Sequence, residues 1–404
     1  MATPTATVEV GFDLLASGNL TDAFILDDTV QGVLDNTTYT LAGETWTDVT
    51  SYVRLVNIRR GRSTELDRYN AGQVSVTFDN RARDFDPTNT GGAFYPNVKP
   101  RKPIRVTLGG NLAFFGQVED WGFDFTVGGD ATATVSGSDG FALLAGQEIV
   151  SHAATSQAPG TRIGAILDRA EIDWPNAMRD IDLGSETLQA DTIAVGSNAL
   201  QYLQNVEATE PGAMFVSRSG MFTFRGRNTS PETFSDVAFT DAGGGIPFTE
   251  ISVGYGSELI YNVVTVTRAG GTAQRVDNSA GTGYAISALS RDGLLHNTDA
   301  AALDLAQWWA QSYSEPLVRI RSVTTELTAL DATQQGDLLA LDLADVISIT
   351  FNGVQSWSKI ESIEHQITAA SHQLTFGLAS ATTVGAFVLD SELYGVLDSN
   401  RLAF

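Results

Sequence analysis

Residues 53–106 read VRLVNIRRGRSTELDRYNAGQVSVTFDNRARDFDPTNTGGAFYPNVKPRKPIRV. In the centre, Val74, Val76 and Phe78 alternate with Ser75 and Thr77, the period of two that marks a half-buried strand. Gly72 precedes this run and Asp79-Asn80 follows it, so both ends carry turn chemistry. Next comes a polar strap, RARDFDPTNTGG at 81–92. Pro96, Pro100 and Pro103 keep the following segment extended, because the residue before a proline is driven out of the helical region. A second strand is expected at 104–108.

The charge of this stretch is out of character with the rest. Residues 51–105 hold 11 Lys/Arg and 5 Asp/Glu, a net of +6, whereas the chain holds 24 and 48. The remainder is 13 minus 43, or −30. Two readings follow from charge alone. One is a set of surface ion pairs and solvated arginines, each worth little. The other is an interface that meets an acidic face on another copy or a partner, where complementary fields set encounter and register. Arg59, Arg60, Arg62, Arg81 and Arg83 are the interface candidates, with Arg60 expected to face opposite to Arg59 and Arg62.

At 404 residues, two to four domains are expected. Hydrophobic residues make up 43% and charged residues 18%, the balance of a well-buried globular chain. There is no cysteine, which excludes disulfides, thiolate metal sites and thiol nucleophiles. The N-terminus lacks a basic n-region with a long apolar run, so no signal peptide is expected, and no stretch approaches the ~18–20 apolar residues of a membrane span. A net charge of −24 argues against sequence-specific nucleic-acid binding, since phosphate is held largely by Lys and Arg. The same acidity would suit a conduit whose walls repel DNA, or simple solubility.

Short strands with glycine-rich turns are expected at 53–58, 73–78, 104–108, 112–118, 122–127 and 131–137, the spacing of a small barrel or sandwich. Gly109-Gly110 and Gly128-Gly129 mark hairpins. The run DGFALL at 139–144 closes this domain. Helices follow behind Thr161 and Ser197 as caps, then a hairpin over 213–227 turning at Ser219-Gly220. A third helix is expected at 299–314 behind Thr298, with adjacent Trp308 and Trp309 facing different neighbours. Strands return at 259–268, 346–351, 357–365 and 373–378. One repeat joins the ends: AFILDDTVQGVLD at 23–35 matches AFVLDSELYGVLD at 386–398. Its apolar residues, Phe24, Leu26, Phe387, Leu389, Val396 and Leu397 with the nearby Phe404, point either to docking arms or to a piece that completes its own domain.

No catalytic motif stands out. His152, His296, His365 and His372 do not fall in a metal-binding spacing, and no nucleophile elbow, dinucleotide fingerprint or phosphate loop is present. Asp79, Asp84 and Asp86 carry the oxygens a calcium ion wants, but Arg81 and Arg83 are interleaved with them and favour internal ion pairs. No catalytic residue, cofactor or metal is assigned, and no enzymatic activity is expected.

The order G-R, A-G, F-D-N-R, F-D-P-T-N, Y-P-N-V and P-I-R-V, carried by Gly61, Arg62, Ala71, Gly72, Asp79, Asn80, Asp86, Pro87, Asn89, Pro96 and Arg105, resembles the N-terminal barrel of minor tail proteins from long-tailed phages of actinobacteria. Those are similar to the trimeric tail-hub family. Asp139-Gly140-Phe141 and Glu210-Pro211-Gly212 resemble later segments of the same family. The resemblance implies a mainly β fold with α+β parts: two small β-barrel domains, an α+β domain and extended terminal arms. The implied divisions are 1–45 (arm), 46–149 (first barrel), 150–245 (α+β), 246–380 (second barrel, helical insertion about 271–316) and 381–404 (arm). The second barrel would be built from 259–268 and 317–378.

It also implies a homotrimer in the virion that rings the axial DNA channel. Its expected partners are the distal tail ring, the tape-measure protein and further tip or receptor-binding proteins. The alternatives are the distal tail ring itself or a peripheral minor tail protein and, from another class, a carbohydrate-active or cell-wall-binding protein.

Overall fold

The computed structural model describes residues 6–12, 46–227 and 234–380. The chain is mainly β with α+β parts. Phe24, Leu26, Phe387, Leu389, Val396, Leu397 and Phe404 lie outside the described residues.

The alternating run at the centre of the quoted stretch lies in the strand Asn70–Asp79, with Val74, Val76 and Phe78 buried. It belongs to a 13-stranded sheet. From one end the order is Glu250–Gly254, Arg319–Glu326, His372–Ser380, Val354–Thr368, Val53–Gly61, Asn70–Asp79, Ala131–Ser138, Asn111–Phe125, Pro103–Leu108, Ala6–Val10 and Thr47–Asp48. Val346–Phe351 branches from Val354–Thr368 and carries Phe234–Thr240 in parallel.

Among the described residues this pairing is one path in which no closed barrel is detected. The two halves are joined by the 15-residue strand Val354–Thr368. Its first part pairs with Val346–Phe351, its last part with Val53–Gly61, and a bulge between Ile360 and Ser362 separates the two. A bulge bends a strand and re-aims its side chains. Here it splices strands some 300 residues apart in sequence into one sheet.

The polar strap is pinned from below. Phe85 is fully buried and packs against Phe78, Phe94, Trp121 and Tyr52. A buried phenylalanine contributes on the order of 2–3 kcal/mol, enough to hold a segment without ladder bonds of its own. The hairpin at Gly109-Gly110 forms as expected, with φ of 55° and 87° that glycine tolerates. Beyond it a single strand, Asn111–Phe125, replaces the two expected at 112–118 and 122–127, a bulge near Glu119 absorbing the break.

The helix Pro159–Leu167 starts with Pro159 in its first turn, not behind a Thr161 cap, because a proline there forfeits no needed N–H. Asn198, not Ser197, caps Ala199–Thr209 by accepting from the Gln201 amide at 2.9 Å. The helix Asp299–Tyr313 is capped by Thr298 as expected. It packs on a separate three-stranded sheet of Val263–Arg268, Gln274–Asp277 and Ala288–Leu294, around a small core of its own. Val263–Arg268 thus belongs with the helical insertion and not with the second barrel. Trp309 is buried in that core, while Trp308 lies under the Arg227 guanidinium.

Candidate functional site

The quoted stretch and the far end of the chain meet along Val53–Gly61 and Val354–Thr368, where Arg59, Arg60 and Gly61 stand opposite Glu364, Ile363 and Ser362. Gly61 has φ +106°, and a Cβ there would lie 2.1 Å from the Glu361 carbonyl oxygen. The strand can approach this closely only without a side chain. Directly after it, the Arg62 amide donates to the Glu361 carbonyl at 2.9 Å.

The Arg62 side chain is buried. Its Nε and Nη2 donate to the two Glu361 carboxylate oxygens at 2.5 and 3.1 Å, and Nη1 to the Asp67 carbonyl at 3.0 Å. The Tyr69 hydroxyl donates to Glu361 Oε2 at 2.8 Å, the Tyr69 ring lies under the guanidinium, and Lys359 Nζ is 3.3 Å from Oε1. Burial alone pushes the Glu361 carboxyl up, but Arg62, Lys359 and these hydrogen bonds outweigh it and hold it down to about 2. Next to this pair, Glu207 on the helix Ala199–Thr209 is buried and pushed up to about 7, Arg62 and Arg68 only partly offsetting the burial.

Arg60 is buried too and ties three segments together. Its Nη2 donates to the Val216 carbonyl at 3.0 Å and to Asp342 Oδ1 at 2.7 Å. The other Asp342 oxygen accepts from the Arg218 amide at 3.0 Å. Beside it, Asp139 accepts from the Gly72 amide at 2.7 Å and caps the helix Gly140–Ala145 through the Phe141 amide. Burial pushes the Asp139 carboxyl up to about 7 against those two amides and Arg60. A Cβ on Gly72 would sit 2.7 Å from Asp139 Oδ2 and 2.9 Å from Arg60 Cγ, and one on Gly140 2.1 Å from the Trp174 ring. The small residues of these motifs are therefore packing requirements.

Glu210 plays a similar part below. It is fully buried and accepts from the amides of Ser185, Glu186 and Arg227 at 2.9 to 3.2 Å.

The remaining candidate arginines are exposed and also paired within the chain. Arg59 meets Glu364 across the strands at 2.9 Å, Arg81 pairs with Asp79, and Arg83 with Asp86 at 2.6 Å. The expected facing of these residues needs correction: Arg60 and Arg62 share the inner side and Arg59 alone points out. Period two places residues 60 and 62 together, in continuation of the buried Val56 and Ile58. That parity was the signal available in the sequence. Glu361 and Asp342 carried no such signal, since they lie 299 and 282 residues from their arginines in sequence, and no local pattern marked Tyr69 or Glu207.

Above the seam, a groove of about 470 Å³ runs across both halves, lined by Asn57, Arg59, Gln73, Glu119, Glu364 and Gln373 among others. Its two carboxylates are engaged, Glu364 by Arg59 and Glu119 by the Ser138 hydroxyl. His365 Nδ1 and His372 Nε2 lie 3.0 Å apart beneath it. Burial depresses both rings, His372 to about 4. Among the described residues no group of acidic and imidazole side chains is arranged to hold a metal.

No protein-family model matches the sequence, and no curated protein does. Solved structures do match the fold. A 43 kDa tail protein of prophage MuSo2 from Shewanella oneidensis is 16% identical, with a TM-score of 0.58 over 85% of this chain and 96% of that one. A tail protein from Neisseria meningitidis MC58 is 10% identical, with a TM-score of 0.59 over 83% and 93%. At such identity the likeness is one of fold.

Proposed function

We propose that this chain is a structural, non-enzymatic protein of a phage tail, and within the tail a hub subunit of the tip of a long-tailed actinobacteriophage. The observation that carries this reading is the extent of the fold match, which takes in nearly the whole length of two tail proteins. A site made of ion pairs, caps and close glycine approaches is what a scaffold needs and what hydrolysis does not. The motifs shared with tail-hub relatives fall on positions that hold the halves of the chain together: Gly61 and Arg62 at the splice, Gly72 and Asp139 beside Arg60, Glu210 under the α+β part.

In this reading three copies surround the axial channel below the distal tail ring, with the tape-measure protein inside and tip or receptor-binding proteins beneath. The divisions 46–149, 150–245 and 246–380, with arms at 1–45 and 381–404, are the units of the assembly. Exposed Arg59, Arg81 and Arg83, with Phe24, Leu26, Val396, Leu397 and Phe404 of the arms, contact neighbouring subunits. The lumen is acidic or neutral, so that DNA phosphate is repelled. Imaging of virions tests the reading. Three copies about the tail axis are expected; an off-axis position, six equivalent copies in one ring, or absence from the particle would overturn it.

A further inference from the structure

The main sheet ends at Glu250–Gly254, whose partner among the described strands is Arg319–Glu326 alone. Ile251 and Val253 share one side of the strand, because residues two apart face the same way; a bulge in the ladder falls between Ser252 and Val253, and Tyr255 follows directly after the strand's end. Cover runs out in this direction: Ile251 packs on the core, Val253 is 43% exposed and Tyr255 69%. Across the ladder Ile320 stands opposite Val253, and just before it Val318 is 68% exposed and Leu317 40%. On the opposite face, Gly254 is buried under the Arg321 guanidinium. An edge of unpaired backbone beside uncovered apolar side chains is a template for another strand.

We propose that residues 386–390, AFVLD, of the same chain add to this edge as a further antiparallel strand, with Phe387 and Leu389 covering Val253 and Tyr255. The reach fits. His372–Ser380 lies two positions in from the edge and runs parallel to Glu250–Gly254, both being antiparallel to the strand between them. It finishes at the same end of the sheet as Gly254, since Gly377 stands opposite Ser322 and Ser322 opposite Ser252. A strand added outside the edge is three inter-strand spacings away, about 14 Å. Residues 381–385 span up to roughly 17 Å when extended. On turning back, the segment runs antiparallel to the edge strand, as the sheet requires.

The repeat gives independent support. Its first copy, at 23–35, lies in sequence between Ala6–Val10 and Thr47–Asp48, the last two strands at the other end of the same sheet. The second copy, at 386–398, follows His372–Ser380, two positions in from the opposite end. The inference does not depend on the tail reading.

The chain has no cysteine, so introduced pairs are unique. Val253→Cys is combined in turn with Phe387→Cys, Val388→Cys and Leu389→Cys in the full chain, oxidised mildly, and read on non-reducing gels and by mass. The expected result is an intramolecular disulfide with Phe387→Cys or Leu389→Cys and little with Val388→Cys, because bonding needs Cα atoms about 4.4–6.8 Å apart and Cβ vectors that converge. A second measurement uses the chain ending at residue 380: the amides of 250–254 should exchange at least tenfold faster while circular dichroism stays unchanged. Disulfides only between copies would overturn the proposal in favour of an exchanged arm. No disulfide in any pairing, or unchanged exchange, would overturn it outright.

Discussion

The basic island spends the same residue in two ways. Arg62 and Glu361 form a pair whose side chains are 7% and 4% exposed, at the splice between the two halves of the chain. Arg81 and Asp79, some twenty residues on, form a pair 63% and 26% exposed on the strap. The two arginines count equally in the island's positive charge. Only the first has lost its water, and only the first has nowhere else to find a partner. Desolvated charges cost several kcal/mol each and must be matched, whereas exposed ones are screened and nearly neutral in effect. A charge surplus in a sequence therefore says little about surface charge until the side each residue faces is known.

The strongest way to test the contrast is to strand one charge. Arg62→Met leaves Glu361 buried with Lys359 and Tyr69 alone, and should cost about 3–5 kcal/mol in urea unfolding. A cost under about 1 kcal/mol would mean the seam is wet. Second in size is a pH effect. The folded Glu207 carboxyl is raised to about 7 from its ordinary 4.5. The folded chain therefore keeps a proton that the unfolded chain releases, and this contribution is full below the ordinary value and lost as pH rises through about 7. Between pH 5 and pH 8, Glu207→Gln should gain on the native chain by up to roughly 3 kcal/mol. A difference that does not change with pH would contradict the burial of that carboxyl. The smallest effect belongs to the strap: Arg81→Ala should leave the urea unfolding midpoint almost unchanged, and any difference should vanish in salt.

Much of the fold was written in local pattern. Val74, Val76 and Phe78 alternate and form the expected strand; Thr298 caps the expected helix; Gly220 turns the hairpin of Ala213–Val216 and Phe222–Arg225. What pattern could not show was which strands become neighbours. The fusion of both halves into one sheet rests on a bulge in Val354–Thr368, and the removal of Val263–Arg268 to a separate sheet rests on its contact with the helix Asp299–Tyr313. The site was half legible. Buried Val56 and Ile58 extend by parity to Arg60 and Arg62, so two of the island's arginines were readable as inner residues. Their partners Asp342 and Glu361 were not, because no local signal links positions nearly 300 residues apart.

The most direct test is a pair of double-mutant cycles on unfolding free energy, one through Arg62 and Glu361 and one through Arg81 and Asp79. The buried cycle should return a coupling above about 2 kcal/mol and the strap cycle no resolvable coupling. Equal couplings, or a larger one on the strap, would contradict the claim that the island's inner arginines lock the two halves of the chain together.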